Sequence, residues 1–346
     1  MIIFRRKNSN RFQRYLSYKV VREVSTETAP NPFITRDDLL KKDTMNRLNT
    51  QISGIRLDNP FILASGILDE NGYTMKRVLD EGAAAVVTKS IGISERSGYR
   101  PPVVVEIDGG NMINAIGLAN PGIDNFGEEM KIARESMKPV IGSVFGSTAE
   151  EFALLSRKME MYGASAIELN LSCPHVKGFG QEVGSDPDLV ESIVSEVKHA
   201  VKVPVFAKLS PNISDILEIA KAAEKADAYV LINTVKAMAI DIYARMPILS
   251  NSFGGLSGPC IKHVGIRYVY EVKQETGKEI IGVGGIRTGE DALEYMMAGA
   301  SCVEIGTAVH SDGRKIFKKL SLETAKIMKT ERIESIGEII GAAIRK

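Results

Sequence analysis

The chain has 346 residues, 25% of them charged and 44% hydrophobic, with 44 Lys and Arg against 43 Asp and Glu. This composition excludes a disordered, collagen-like or coiled-coil chain, and a net charge of +1 gives no footing for nucleic-acid binding. No apolar run approaches the roughly 18 residues that a membrane-spanning helix needs. The three cysteines, Cys173, Cys260 and Cys302, are scattered and form no CxxC pair, so neither a metal site nor a disulfide framework is expected, and a reducing cytoplasm fits.

Residues 1–44 differ in kind from the rest. Arg5, Arg6, Lys7, Arg11, Arg14, Lys19 and Arg22 all precede the first acid, Glu23. A transit peptide shares that pattern, whereas the apolar opening at Met1 to Phe4 is too short for a secretory signal. The adopted reading is a dispensable upstream extension, because regular patterning begins just after Met45. The folded unit is then residues 45–346.

Residues 48–59 alternate around Ser53-Gly54 and predict a hairpin ahead of the main fold. Eight short apolar runs follow, at 61–64, 84–88, 139–144, 166–171, 204–209, 228–232, 279–283 and 302–305. Short Val/Ile-rich runs of this kind read as strands buried on both faces. Helical patterns lie between them at 73–81, 149–162, 187–201, 214–225, 261–276 and 289–298. Asp186-Pro187 and Thr288-Gly289-Glu290-Asp291 are capped helix starts. Gly82, Gly163 and Gly299, each followed by small residues, mark helix-to-strand junctions. Eight strand–helix units predict an α/β fold, a (β/α)8 TIM barrel with the hairpin closing its bottom; a doubly wound open sheet is second. Two stretches, 91–123 and 235–257, are too long for simple connections and read as active-site insertions.

A barrel delivers chemistry at the C-terminal tips of its strands. Those tips carry Ser65-Gly66, Lys89-Ser90, Ser143, Asn170 with Cys173, Lys208, Asn233-Thr234, Gly284-Gly285 and Gly306-Thr307. A thiol at the fourth tip can serve as nucleophile or base, and the glycines at 178 and 180 let residues 175–185 close over a substrate. Gly282-Val283-Gly284-Gly285-Ile286 and Ile305-Gly306-Thr307 sit where barrels bind phosphate through bare backbone N–H groups, and Gly254-Gly255-Leu256-Ser257-Gly258 adds more. The spacing is not a dinucleotide fingerprint. A phosphate cradle with two lysines points to flavin mononucleotide (FMN), with a Lys Schiff base to pyridoxal phosphate as the rival. The amides and hydroxyl of Asn114, Asn170, Asn233 and Thr234 suit a planar polar ring, and Lys89 suits a carboxylate on it.

At these residues the chain resembles class 1 dihydroorotate dehydrogenases, more closely the 1B branch. The resemblance rests on Asn114-Ala115-Ile116-Gly117-Leu118-Ala119-Asn120-Pro121-Gly122, the stretch 169–177, Lys208-Leu209-Ser210-Pro211-Asn212, Ile232-Asn233-Thr234, Pro247-Ile248-Leu249, the stretch 254–259, and the two phosphate loops. It implies one FMN per chain and oxidation of dihydroorotate to orotate in pyrimidine synthesis. It assigns Cys173 as catalytic base. It assigns Lys89, Asn114, Ala115, Ile116, Gly117, Leu118, Asn170, Asn233 and Thr234 to substrate. It assigns Ser65, Lys89, Ser90, Asn170, Lys208, Ile232, Gly258, Gly284, Gly285, Gly306 and Thr307 to flavin. It also implies a homodimer within a heterotetramer, whose partner subunit carries FAD and an iron–sulfur cluster and passes electrons to NAD. Two positions depart from the family's habit: His175 and Ser143 each stand where Asn is frequent. The alternatives are a fumarate-dependent 1A enzyme, a dihydropyrimidine dehydrogenase-like reductase, and a non-catalytic FMN-binding subunit.

Overall fold

Each of the eight apolar runs becomes a strand, because a segment of Val, Ile and Ala without polar relief is stable only when covered on both faces. The structure is a computed structural model that describes residues 46–171 and 183–345. After a short hairpin of β1 (Thr50–Ile52) and β2 (Ile55–Leu57), the barrel strands in chain order are β3 (Phe61–Leu63), β4 (Ala85–Val87), β7 (Val140–Val144), β8 (Ala166–Asn170), β9 (Val205–Lys208), β10 (Ala228–Leu231), β15 (Glu279–Val283) and β16 (Cys302–Ile305). They pair in parallel in that order and close into a barrel, β16 meeting β3 with Val303 opposite Phe61 and Ile305 opposite Leu63. The expected (β/α)8 architecture is therefore observed, and the open-sheet alternative falls.

Helices cover the outside. Thr148 caps Ala149–Met161, Asp186 caps Pro187–Ala200, and Thr288 and Asp291 close a reciprocal capping box on Gly289–Met297. Gly82, Gly163 and Gly299 all take positive φ just past a helix end, as their sequence positions predict. Two further helices of eight or more residues, Gly127–Arg134 and Ile316–Thr330, have no counterpart among the predicted segments. Neither has a side-chain cap, so no Ser, Thr or Asp marks its start. Among the described residues, no helix is long and apolar enough to cross a membrane.

The hairpin β1–β2 turns through Ser53 and Gly54, both at positive φ, which matches the right-handed twist of its strands. It plugs the barrel's N-terminal end. Ile52 and Leu57 pack against the inward side chains Ile62, Val87, Ile141, Phe206 and Ile281. Ser53 donates from its backbone N–H to Glu279 Oε2 at 2.6 Å, and Thr50 Oγ1 donates to the carbonyl of Ser301 at 2.9 Å.

The two insertions combine into one cap at the other end. They contribute β5 (Val104–Ile107) with β6 (Asn111–Asn114), and β11 (Val235–Ala237) with β14 (Gly254–Ser257), in one antiparallel sheet of order β11-β14-β6-β5, and the second insertion adds a separate antiparallel pair, β12 (Ile240–Asp241) and β13 (Met246–Pro247). This corrects the reading of Gly254 and Gly255 as part of an anion loop, while Gly258, just past the end of β14, still reaches the cavity wall. Gly254 and Gly255 lie within a paired strand, and a Cβ on Gly254 would stand 2.6 Å from the Asn114 carbonyl oxygen. Small residues are needed there so that two strands can pack.

Candidate active site

Between the barrel's C-terminal rim and the cap lies a cavity of about 360 Å³. Seven of the eight barrel strands send their tips into its wall. Ser65, Lys89, Ser90, Asn170, Lys208, Ile232, Asn233 and Thr234 come from five of the first six strands, β7 being the exception, and Gly284, Gly285, Gly306 and Thr307 from the last two. The cap adds Asn114, Ile116, Gly117, Leu118 and Gly258. Every one of these was expected from sequence to take part in a site. Ala115 is different: its side chain is buried in the cap's own apolar core with Ile113 and Leu249. Cys173 and His175, with the whole stretch 172–182, lie outside the described residues.

The two ends of the cavity differ chemically. At one end, Gly258, Gly284 and Gly285 all have positive φ, and a Cβ on Gly285 would stand 2.7 Å from the Gly258 carbonyl oxygen. The backbone there is bare because no side chain fits. Gly306 is open by contrast, its nearest neighbour to an added Cβ being Ala64 at 3.7 Å. Thr307 Oγ1 donates to Ser257 Oγ at 2.7 Å, tying the eighth strand tip to the cap. Arg287, which the sequence reading passed over, joins this wall and donates to the Gly109 carbonyl oxygen at 3.3 Å. Bare N–H groups beside a guanidinium form a place for an anion.

The other part of the wall is cationic and amide-rich. Lys89 reaches Glu70 at 3.2 Å and stays largely covered. Asp69, fully buried beside it, accepts from Gly66 N–H; burial pushes its carboxyl up to about 6, against the opposing pull of that hydrogen bond and of Lys89. Asn114 Nδ2 donates to the Gly255 carbonyl oxygen at 3.3 Å, and Asn170 Nδ2 donates to Ser90 Oγ at 3.0 Å. Both are thereby held at fixed angles to the cavity.

Below lies a layer that the sequence reading missed. Lys208 Nζ donates to Glu304 Oε2 at 2.9 Å and approaches Glu168 Oε2 at 3.3 Å, all three side chains being buried. Glu168 and Glu304 both border the cavity. The signal was present in the sequence. Alternate residues of a strand share a face, so Glu168 stands on the face of Asn170, and Glu304 on that of Gly306. A single acid inside an apolar run, in phase with site residues, is that signal. Ser143 belongs to the same layer. It is fully buried beneath the cavity wall and donates to Glu168 Oε1 at 3.2 Å.

A closed parallel barrel with an anion cradle, paired lysines and an amide wall on its C-terminal rim defines the class: a barrel enzyme built around a phosphorylated cofactor or substrate. Within that class, the chain belongs to the dihydroorotate dehydrogenase family, whose sequence model matches residues 47–328. A relative in Thermoplasma volcanium is 69% identical over 302 residues, covering 87% of this chain and 100% of that one. One in Thermoplasma acidophilum is 67% identical over 301 residues, covering 87% and 100%. One in Methanocaldococcus jannaschii is 50% identical over 302 residues, covering 86% and 98%. Each of the three bears the name dihydroorotate dehydrogenase B (NAD(+)), catalytic subunit.

Proposed function

We propose that this chain is the catalytic subunit of an NAD-linked dihydroorotate dehydrogenase, which holds one FMN and oxidises dihydroorotate to orotate in pyrimidine synthesis. The observation that carries the reading is the single cavity in which the glycine cradle, both lysines and the amide wall converge. FMN fits this donor set. Its phosphate finds backbone from Gly258, Gly284, Gly285, Gly306 and Thr307 at an end where a Cβ on Gly285 would collide. Its ring finds Ser65, Ser90, Lys89, Asn170, Lys208 and Ile232. When bound, FMN supplies the electron acceptor for the oxidation.

The substrate's ring and carboxylate fall to Lys89, Asn114, Ile116, Gly117, Leu118, Asn170, Asn233 and Thr234. Cys173 removes the proton from substrate C5. A thiol with a reference pKa of about 8.5 is a serviceable base near neutrality once neighbouring cations lower it. The cap excludes water by closing one side of the cavity with β6 and β14.

The names of the relatives supply the acceptor and a partner: NAD, reached through a further subunit. The resemblance adds FAD and an iron–sulfur cluster on that subunit and a homodimer of this chain within a heterotetramer. The sequence is consistent with this division. Three scattered cysteines are too few to hold a four-cysteine cluster.

The test is Cys173→Ala. It keeps bound flavin and slows flavin bleaching by dihydroorotate about 10²–10⁴-fold, the usual contribution of a positioned base. Cys173→Ser is slow near neutrality and recovers partly as pH rises. Parental rates in Cys173→Ala would assign the base to another residue.

A further inference from the structure

The layer beneath the cavity has a charge imbalance. Glu168 on β8, Lys208 on β9 and Glu304 on β16 project inward one step above the apolar residues Ala166, Phe206 and Cys302. Two acids share one base, so a fully ionised layer would leave one uncompensated negative charge inside the barrel. Such a charge is strongly disfavoured in a dry interior. A second observation points the same way. Glu304 Oε2 accepts from Lys208, but Glu304 Oε1 is buried with no hydrogen-bond partner among the described residues. An oxygen in that position is better accommodated as part of a neutral carboxyl than of a carboxylate.

The layer is also wired to the cavity. Ser143 Oγ donates to Glu168 Oε1 and shares a 2.8 Å hydrogen bond with Ser90 Oγ. Ser90 Oγ lies 3.4 Å from Ser65 Oγ, and both serines line the cavity. Hydroxyls donate and accept at once, so this line can pass a proton.

We propose that Glu168, Lys208 and Glu304 form a proton-holding triad beneath the flavin site, connected to the cavity through Ser143 and Ser90, and that its charge state tunes the potential at which bound flavin accepts electrons. Glu304 is the positioning residue that carries the proton; with it the triad is neutral. Loss of that proton leaves a net negative charge under a ring that itself becomes more negative on reduction, and the potential falls. This inference rests on the flavin reading above.

The surroundings of Glu304 support the assignment. Burial, then the charge of Glu168, pushes its carboxyl up to about 8, against the pull of Lys208. Burial alone would lower Lys208, but the two carboxylates hold it above its ordinary value. Among the described residues, the other titratable side chains on the cavity wall are Lys89 from the β4 tip and Arg287 after β15. Cys302, one layer below on the same strand, is pushed well above the usual thiol range by burial and by Glu304 and Glu279, so it stays neutral. Strands β3, β7 and β10 present no titratable group inward: Tyr229 faces outward, its hydroxyl on the Ala220 carbonyl. Glu279 sits at the far end of β15, on the plug.

The experiment is an anaerobic potential titration of the purified flavin-bound protein across neutral to alkaline pH, in parent and Glu304→Gln. The parent's potential falls more steeply from about pH 8 upward. Glu304→Gln, neutral at every pH, lacks that steepening and lies above the parent at alkaline pH. A second measurement needs neither flavin nor variant. In flavin-free parent labelled with ¹³C at the glutamate carboxyls, one resonance titrates near pH 8 rather than in the acidic range. Coincident potential curves, or glutamates that all titrate in the acidic range, would overturn the triad. A protein that binds no flavin yet shows the alkaline glutamate would overturn the flavin reading and leave the triad's protonation intact.

Discussion

Phe206 and Lys208 are two residues apart on one strand and point the same way, yet they belong to different halves of the barrel. The lower half, around Phe206, is wholly apolar and sealed by Ile52 and Leu57 from the hairpin. The upper half, around Lys208, holds the Glu168–Lys208–Glu304 layer and opens into the cavity beneath the cap. A single step along the strands changes the interior from packing to electrostatics. The apolar half supplies rigidity, and the charged half can then hold groups that would be costly in a softer frame.

Replacing one residue from each half separates the two. Phe206→Ala leaves a cavity in the sealed half and lowers stability by about 3–5 kcal/mol, with little dependence on pH. Lys208→Met strands two acids and lowers stability by a similar ~3–5 kcal/mol at neutral pH. That second loss depends on pH. Glu304 is already raised by burial and by the charge of Glu168, and without Lys208 it loses the cation that pulls it down, so the folded form holds more protons than the unfolded form. Stability therefore recovers on acidification and worsens as pH rises. Denaturant melts of the two variants at several pH values check this; equal pH dependence would mean the halves do not differ as described.

A smaller effect tests the rim. Gly306 has room for a methyl group, so Gly306→Ala keeps flavin, whereas Gly306→Asp sets a carboxylate against the phosphate. Like-charge juxtaposition is worth several kcal/mol, which weakens FMN binding on the order of 10²-fold or more. Flavin content after purification reads this directly, and normal content in Gly306→Asp would remove the phosphate from this end. The smallest effect is expected at the N-terminus. A chain beginning at Met45 contains the whole span matched by the family and should fold and bind flavin as the full chain does.

Much of this division was legible in the sequence, for reasons specific to each part. All eight strands were readable because each is a short apolar run with Gly or a polar residue at its tip, and the barrel follows from their number and spacing. The cradle residues Gly284 and Gly285 were readable because only bare backbone serves there. Gly254 and Gly255 looked alike in sequence but lie in a strand, since a glycine that permits close packing and one that binds an anion leave the same letter. Gly127–Arg134 and Ile316–Thr330 escaped because their starts carry no capping side chain. Glu168 and Glu304 escaped because each is one acid in an apolar run; only their shared strand face with Asn170 and Gly306, and barrel closure that brings β8 and β16 to Lys208, makes them a site.

The central claim is that the upper half of this barrel oxidises dihydroorotate with a bound flavin. Anaerobic mixing of the purified protein with dihydroorotate, followed in the flavin's visible absorbance, tests it most directly. The account predicts prompt bleaching that NAD alone reverses slowly and that NAD with the partner subunit reverses fast. A flavin that keeps its colour with dihydroorotate, or a protein purified without flavin, would contradict it.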